Sequence, residues 1–242
     1  MRAARRLLIA LVVLFGLFVV ADRVAVTVAE SQVASKLQTE RQLTKKPGVS
    51  IGGFPFLTQL AGGKLDDVKI HTNGMVVRGI SGDQITLQNF DADLKGVKLE
   101  NNYSTAVADT ATGTALVSYT DLSDAIQSHP VIGYAGNGRV TVADTADIPG
   151  LGQKKFTATA KIVPSGNGTG IGLSDISGIT GLSGIPGVTS QMAGNLAFEA
   201  LGLRLSLSGL PQGLAVTQVQ PGPDGVTVSV GGSGVSLTAT EA

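Results

Sequence analysis

The chain has 242 residues, a formal net charge of zero, no Cys, no Trp and two His, and 43% of its residues are hydrophobic although only 4% are aromatic. The missing Cys excludes a disulfide scaffold, thiolate zinc and iron–sulfur sites, a cysteine nucleophile and a lipidated cysteine anchor; with His71 and His129 alone, a His-rich metal site is excluded too. The length allows one large domain or two small ones, either able to bury a core.

Arg2, Arg5 and Arg6 precede Leu7 to Ala21, fifteen residues without a charge. As a helix this run reaches about 22 Å, short of the roughly 30 Å of a hydrocarbon core. A basic start, an apolar run and a small residue at its end describe a secretory signal peptide over residues 1–21. The same residues also read as an uncleaved membrane anchor extended through Val24 to Ala29, with Asp22 and Arg23 carried into the interface, and the positive-inside rule then leaves the same body outside. Both readings export residues 22–242. Without residues 1–21, which hold three Arg and no acid, 15 basic residues face 18 acidic ones, a net of −3. That balance, with no basic stripe, speaks against a nucleic-acid partner.

From Asp22 the pattern has helical period, with Val26, Ala29, Val33 and Leu37 on one stripe, Asp22 as N-cap and Lys45-Lys46-Pro47-Gly48 as the stop. After Gly48 the period becomes two. Val68-Ile70, Ile85-Leu87, Val97-Leu99, Val140-Val142, Phe156 to Ile162, Leu203 to Leu207, Val226 to Val230 and Val235-Leu237 alternate with polar or small residues and read as half-buried strands. Turn signals such as Asn73-Gly74 and Gly136-Asn137-Gly138 lie close between them, which favours an antiparallel meander. Thr120 is placed to cap a short helix over Asp121 to Ser128. A second helix is expected over Val188 to Leu201, where Val188, Met192, Leu196 and Ala200 recur at i+4 before Gly202. The expected class is α+β: an N-terminal helix, one long curved antiparallel sheet and a helix inserted before the last strands, with residues 22–242 as a single domain.

Between strand and second helix, Ile176 to Val188 repeats apolar, polar, Gly with period three. It reads either as an extended wrap whose Ile and Leu pack on the body, or as a mobile apolar loop that covers a ligand groove or dips into lipid.

Site chemistry is sparse. Gly48-Val49-Ser50-Ile51-Gly52 satisfies G-x-S-x-G, but a nucleophile elbow needs a strand before it and a helix directly after, and Pro55 holds Phe54 out of helical geometry. Ser50 reads as an outward strand residue. His71 falls on the polar parity of its strand, and His129 ends a helix before Pro130. Asp66, Asp67, Asp91 and Asp93 are carboxylates that lack EF-hand spacing. No Gly-rich stretch fits a phosphate-binding loop. No catalytic residue, metal site or cofactor is therefore assigned.

The string Gly53-Phe54-Pro55-Phe56-Leu57-Thr58-Gln59, preceded by Val49-Ser50-Ile51, resembles the signature of the LmeA-like phospholipid-binding family of actinobacterial cell-envelope proteins. The run Leu201 to Leu214, followed by Val216, Val219 and Asp224-Gly225-Val226, is similar to that family's second block, with Gln212 where the family usually carries an aromatic. The resemblance covers essentially the whole chain. It implies a tubular lipid-binding (BPI-like) fold, in which a strongly curved sheet wraps a long helix and leaves an apolar groove, and it implies no catalytic residue. It also implies phospholipid as ligand, the outer face of the cytoplasmic membrane as partner, a location in the cell envelope or periplasmic space, and a part in supplying envelope lipids or lipoglycans.

The residue chemistry agrees independently, because an acyl chain gains about 0.8 kcal/mol per buried CH₂ and needs aliphatic surface rather than titratable groups. Candidate lipid-binding residues are Phe54, Phe56 and Leu57 at one end, Ile179, Leu182 and Ile185 in the period-three run, and Met192 and Leu196 on the second helix. Each of these is core or ligand-facing by pattern alone. Two other readings stay open: a secreted serine hydrolase acting through Ser50, and a structural or adhesive β-rich envelope module that binds a protein along a strand edge.

Overall fold

Alternating sequence becomes alternating burial most plainly in the strand Thr105–Val117, where Ala111, Gly113, Ala115 and Val117 are buried while Thr112 and Thr114 are exposed. The computed structural model describes residues 2–40, 43–78, 84–100, 105–126, 128–148, 152–182, 189–201, 204–206 and 210–237. In chain order the elements are α1 (Arg2–Glu40), β1 (Gly48–Gly52), α2 (Phe56–Ala61), β2 (Lys64–Thr72), β3 (Met75–Arg78), β4 (Gln84–Glu100) and β5 (Thr105–Val117). There follow α3 (Tyr119–Asp124), β6 (Val131–Gly136), β7 (Arg139–Ile148), β8 (Gly152–Ser165), β9 (Gly170–Thr180), α4 (Ser190–Leu201), β10 (Arg204–Ser206), β11 (Leu214–Gly222) and β12 (Gly225–Ser236).

The class is α+β with antiparallel pairing, but the strands form two open sheets rather than the one long sheet expected. The first has the order β1-β2-β4-β5-β12-β11, with β3 paired to β4; the second has the order β10-β9-β8-β7-β6. The division arises at α3. Ser118 caps that helix, its Oγ accepting the Asp121 N–H at 3.0 Å, and turns the chain out of the first sheet. Thr120, expected as the cap, lies inside the helix. The chain then pairs with itself through β6 to β10 before β11 and β12 rejoin β5. At the β6–β7 hairpin Asn137 and Gly138 take φ of 52° and 68°, the geometry the Asn-Gly signal predicts.

The sheet faces are made continuous by a paired change of parity. Midway along the pair the burial steps from Leu94 to Val97 in β4 and from Ala111 to Ala108 in β5, an odd spacing in each, so both partner strands turn over together about Gly96 and Asp109. A Cβ on Gly96 would run into the Asp109 carboxylate. That carboxylate accepts from Lys64 at 2.8 Å and pairs with Lys98 at 2.9 Å, and the two ammonium groups pull it down to about 2.

Two apolar clusters share β4, β5 and β12. One gathers Val140, Val142, Phe156 and Ile171 of the second sheet against Val117, Val226 and Val228 of the first, with Leu122 of α3 and Ala193 of α4. The other joins Val26 of α1, Phe56 of α2, Ile51, Leu65, Val68, Leu94 and Val97. Helix α1 is not enclosed by a sheet: Asp22, Val26 and Ala34 are buried, while Leu7 to Phe15 stand open. Nor does a helix begin at Asp22, because α1 runs unbroken through it.

Two outcomes test this account. Leu182, fully buried, should cost about 2–5 kcal/mol as Leu182→Ala in urea unfolding. The Asp109 carboxyl is depressed when folded, so its contribution is present above an unfolded value of about 3.9 and is lost as pH falls toward 2. The stability gap between the native chain and Asp109→Asn should accordingly narrow between pH 5 and pH 2.

Candidate functional site

The Gly53–Gln59 string occupies the junction of β1, α2 and α1. Helix α2 opens with N–H groups that have no partner within the helix, and Pro55 at its N-cap position makes no side-chain hydrogen bond. Asp22 of α1 supplies the acceptor instead. Its carboxylate takes the Leu57 N–H at 2.8 Å and the Arg23 guanidinium at 2.7 Å, and it is wholly buried. About two turns further along α1, Glu30 accepts the Ile51 N–H at 2.8 Å. One helix therefore pins the chain on both sides of the Phe54-Pro55 turn.

The remaining residues of the string close the loop. Gly53 has φ of +90°, and a Cβ there would collide with the Gln59 amide. That amide bridges the turn, Nε2 donating to the Gly52 carbonyl at 3.3 Å and Oε1 accepting the Asp66 N–H at 2.8 Å. Phe56 points into the core at 2% exposure, whereas Phe54 is 53% exposed with the Arg23 guanidinium 5.2 Å from its ring centroid. The string is legible in the sequence, but Asp22 caps α2 rather than opening a helix of its own, and Glu30 joins it as a second anchor. The available signal was an acidic pair on an amphipathic helix beside a turn whose Pro provides no cap.

The structure does not bring the candidate residues to one place. Phe56 and Leu57 belong to the cluster under α1. Ile179, Leu182 and Leu196 belong to the cluster between the sheets, where Leu182 is fully buried and the other two are half-buried. Met192 is 48% exposed on α4, whose first turn is capped by the Thr189 hydroxyl accepting the Met192 N–H at 3.2 Å. Ile185 lies outside the described residues.

An open trough of about 640 Å³ crosses the first sheet along three adjacent rows of the register. The middle row is Val49, Ile70, Ala92, Gly113 and Val230; the rows beside it carry Ser50, Lys69, Asp93 and Thr112, and His71, Asp91, Thr114 and Ser229. Since side chains alternate, the polar rows share one face and the apolar row the other. On the polar face His71 Nδ1 and Asp91 Oδ1 meet at 2.7 Å, both more than half exposed. Lys69 and Lys95 bridge Asp67 and Asp93, and the Lys95 contact holds the Asp67 carboxyl below its ordinary value against the opposing effect of burial. Among the described residues no group of three or more His, Asp or Glu is placed to hold a metal ion.

Ser50 lies inside β1, opposite Lys69, and not at a strand-to-helix turn. The N–H that follows it, which an elbow serine would use to hold an oxyanion, is the Ile51 group already bound to Glu30.

The model of one protein family, described as LmeA-like phospholipid-binding, matches residues 20–231. The chain belongs to the LmeA-like phospholipid-binding family. No curated protein and no solved structure matches it. The matched span begins two residues before Asp22, so it includes the whole of the α1 surface that docks the Gly53–Gln59 string. In this member of the LmeA-like family the string is a structural joint as much as a surface.

Replacing Asp22 with Ala should strip the Leu57 N–H of its partner and destabilise the fold by about 1–3 kcal/mol. Hydrogen exchange should then rise at Phe56 and Leu57 more than at Val140 or Ala158.

Proposed function

We propose that the protein is an exported phospholipid-binding protein of the cell envelope that takes acyl chains into its apolar interior and carries or presents lipid for envelope lipid or lipoglycan assembly. The observation that carries this reading is the family match, which runs from the helix that docks the Gly53–Gln59 string to the β11–β12 hairpin. Export is supported by the basic, then apolar, N-terminus, which in the structure is a helix with exposed aliphatic side chains. A tubular lipid-binding architecture is part of the proposal, with residues 22–242 acting as one unit because both clusters share β4, β5 and β12.

The physical support is an apolar path. Val49 and Ile70 border one cluster and Val230 borders the other, and the register row through Ala92 and Gly113 links them across five strands, roughly 19 Å. Phe56 and Leu57 belong to the cluster at one end of this path and Ile179, Leu182 and Leu196 to the cluster at the other, and Phe54, Met192 and Ile185 are further lipid contacts in this proposal. Binding needs no reacting group, and the protein acts without catalysis.

Native mass spectrometry of detergent-free protein should show phospholipid adducts. Affinity for added phospholipid should rise about tenfold when the acyl chain is lengthened by two carbons, from about 0.8 kcal/mol per CH₂. A protein that emerges lipid-free and takes up no labelled phospholipid overturns the reading.

A further inference from the structure

We propose that the Phe54 turn and Arg23 form a foot that rests in the headgroup–acyl boundary of a phospholipid bilayer and fixes which end of the body faces the membrane. The inference rests on the export reading above and takes residues 1–21 as retained.

Helix α1 is continuous from Arg2 to Glu40, so the apolar run and the half that docks on the body are one rigid element with no linker between them. Leu7 to Ala21 covers about 22 Å of that rod, and Leu17 and Val20 near its end are 63% and 61% exposed. The first charged residues after the run are Asp22 and Arg23. The Asp22 carboxylate is turned into the body, where it holds the Leu57 N–H and is sealed from solvent. Arg23 is the charge left at the surface, half-exposed, and it lies over the half-exposed ring of Phe54.

An aromatic ring and a long basic side chain at the end of an apolar span are the residue types that settle at a membrane interface, the ring among the upper acyl carbons and the cation reaching to phosphate. Here the aromatic comes from a loop 31 residues away in sequence, brought to the helix by the hydrogen bonds of Asp22 and Glu30. Once residues 7–21 are in a bilayer, that fastening leaves the Phe54 turn no position other than its surface. The α2 end of the first sheet then faces lipid, and the Phe56–Leu57 end of the apolar path is the one nearest the bilayer. A bilayer is favoured over a protein as the occupant because the patch is continuous with the exposed apolar helix.

The absence of Trp makes the test direct. Full-length Phe54→Trp and Val131→Trp chains, each with a single Trp, are placed in phosphatidylcholine nanodiscs with and without bromine near the headgroup end of the acyl chains. Both sites are exposed, Val131 at 74% on β6 of the other sheet, so neither substitution disturbs the core. Emission at position 54 should shift to the blue and be quenched several-fold more than at position 131. Equal, solvent-like emission at the two positions overturns the foot, as does recovery from the producing cell of a soluble chain that begins near Asp22. The phospholipid adducts above are read separately, so loss of lipid binding with quenching retained at position 54 would sink the carrier reading and leave the foot standing.

Discussion

A buried carboxylate on one helix that caps the start of another is the contact on which the rest of the molecule depends. Asp22 is charged and sealed from solvent, a placement that costs several kcal/mol unless its oxygens are satisfied. The Leu57 N–H and the Arg23 guanidinium satisfy them. Because α2 has no cap of its own, neither partner is complete without the other: α1 needs donors for its carboxylate, and the Phe54–Leu57 segment needs an acceptor for its amides. With Glu30 fastening Ile51 about two turns away, the rotation and the height of α1 on the body are both set.

From that joint the body follows a simple separation. One face of the first sheet carries Lys–Asp pairs across β2, β4 and β5, and the other carries the aliphatic residues that build two clusters. Keeping the faces distinct along strands as long as β4, of 17 residues, requires that a change of parity be absorbed in a bulge, as between Gln88 and Asp91, or matched by the neighbour. The paired turn-over at Gly96 and Asp109 does this, and the Lys64 and Lys98 ammonium groups lock it on the polar side. The ion pairs on that face are exposed and separately worth little; their effect is to keep charge off the apolar face, which is where a phospholipid-binding protein must remain free of it.

What the sequence made legible was local. Period-two alternation marks β2, β4, β7, β8, β10 and β12 and passes over β3, β5, β6, β9 and β11, Asn137-Gly138 marks a hairpin, and the i+4 apolar residues mark α4, whose first described residue is Ser190 rather than Val188. The non-local features were not legible. Two sheets in place of one depend on whether β6 to β10 pair with each other or with β5, and a strand's own pattern sets its two faces without naming its partner. Asp22 looked like an N-cap because acidic residues before an apolar stripe usually are; it does cap a helix, but one 34 residues further on, and a carboxylate's partner in space leaves no trace in its neighbours along the chain. The eight candidate residues share apolar character, which belongs to core and groove residues alike, and the described ones separate between the two clusters and the surface for that reason.

The two ends of the apolar path are held by different forces, and on the proposed reading the difference bears on how a lipid would be admitted. At the α1 end the contacts are directional: parting α1 from the string would leave the Leu57 and Ile51 amides and a buried carboxylate unpaired. At the α4 end the described contacts are apolar, with Ala193 and Leu196 resting on the cluster that holds Leu182 and Phe156. Apolar contact is non-directional and scales with area, so a contact of this kind accepts one apolar neighbour for another more readily than a hydrogen bond accepts a new partner. On the proposed reading, a lipid carrier needs one junction that does not yield and one that exchanges contacts freely. Hydrogen-bonding residues concentrated around Asp22, and small or aliphatic residues around Leu182, supply the two.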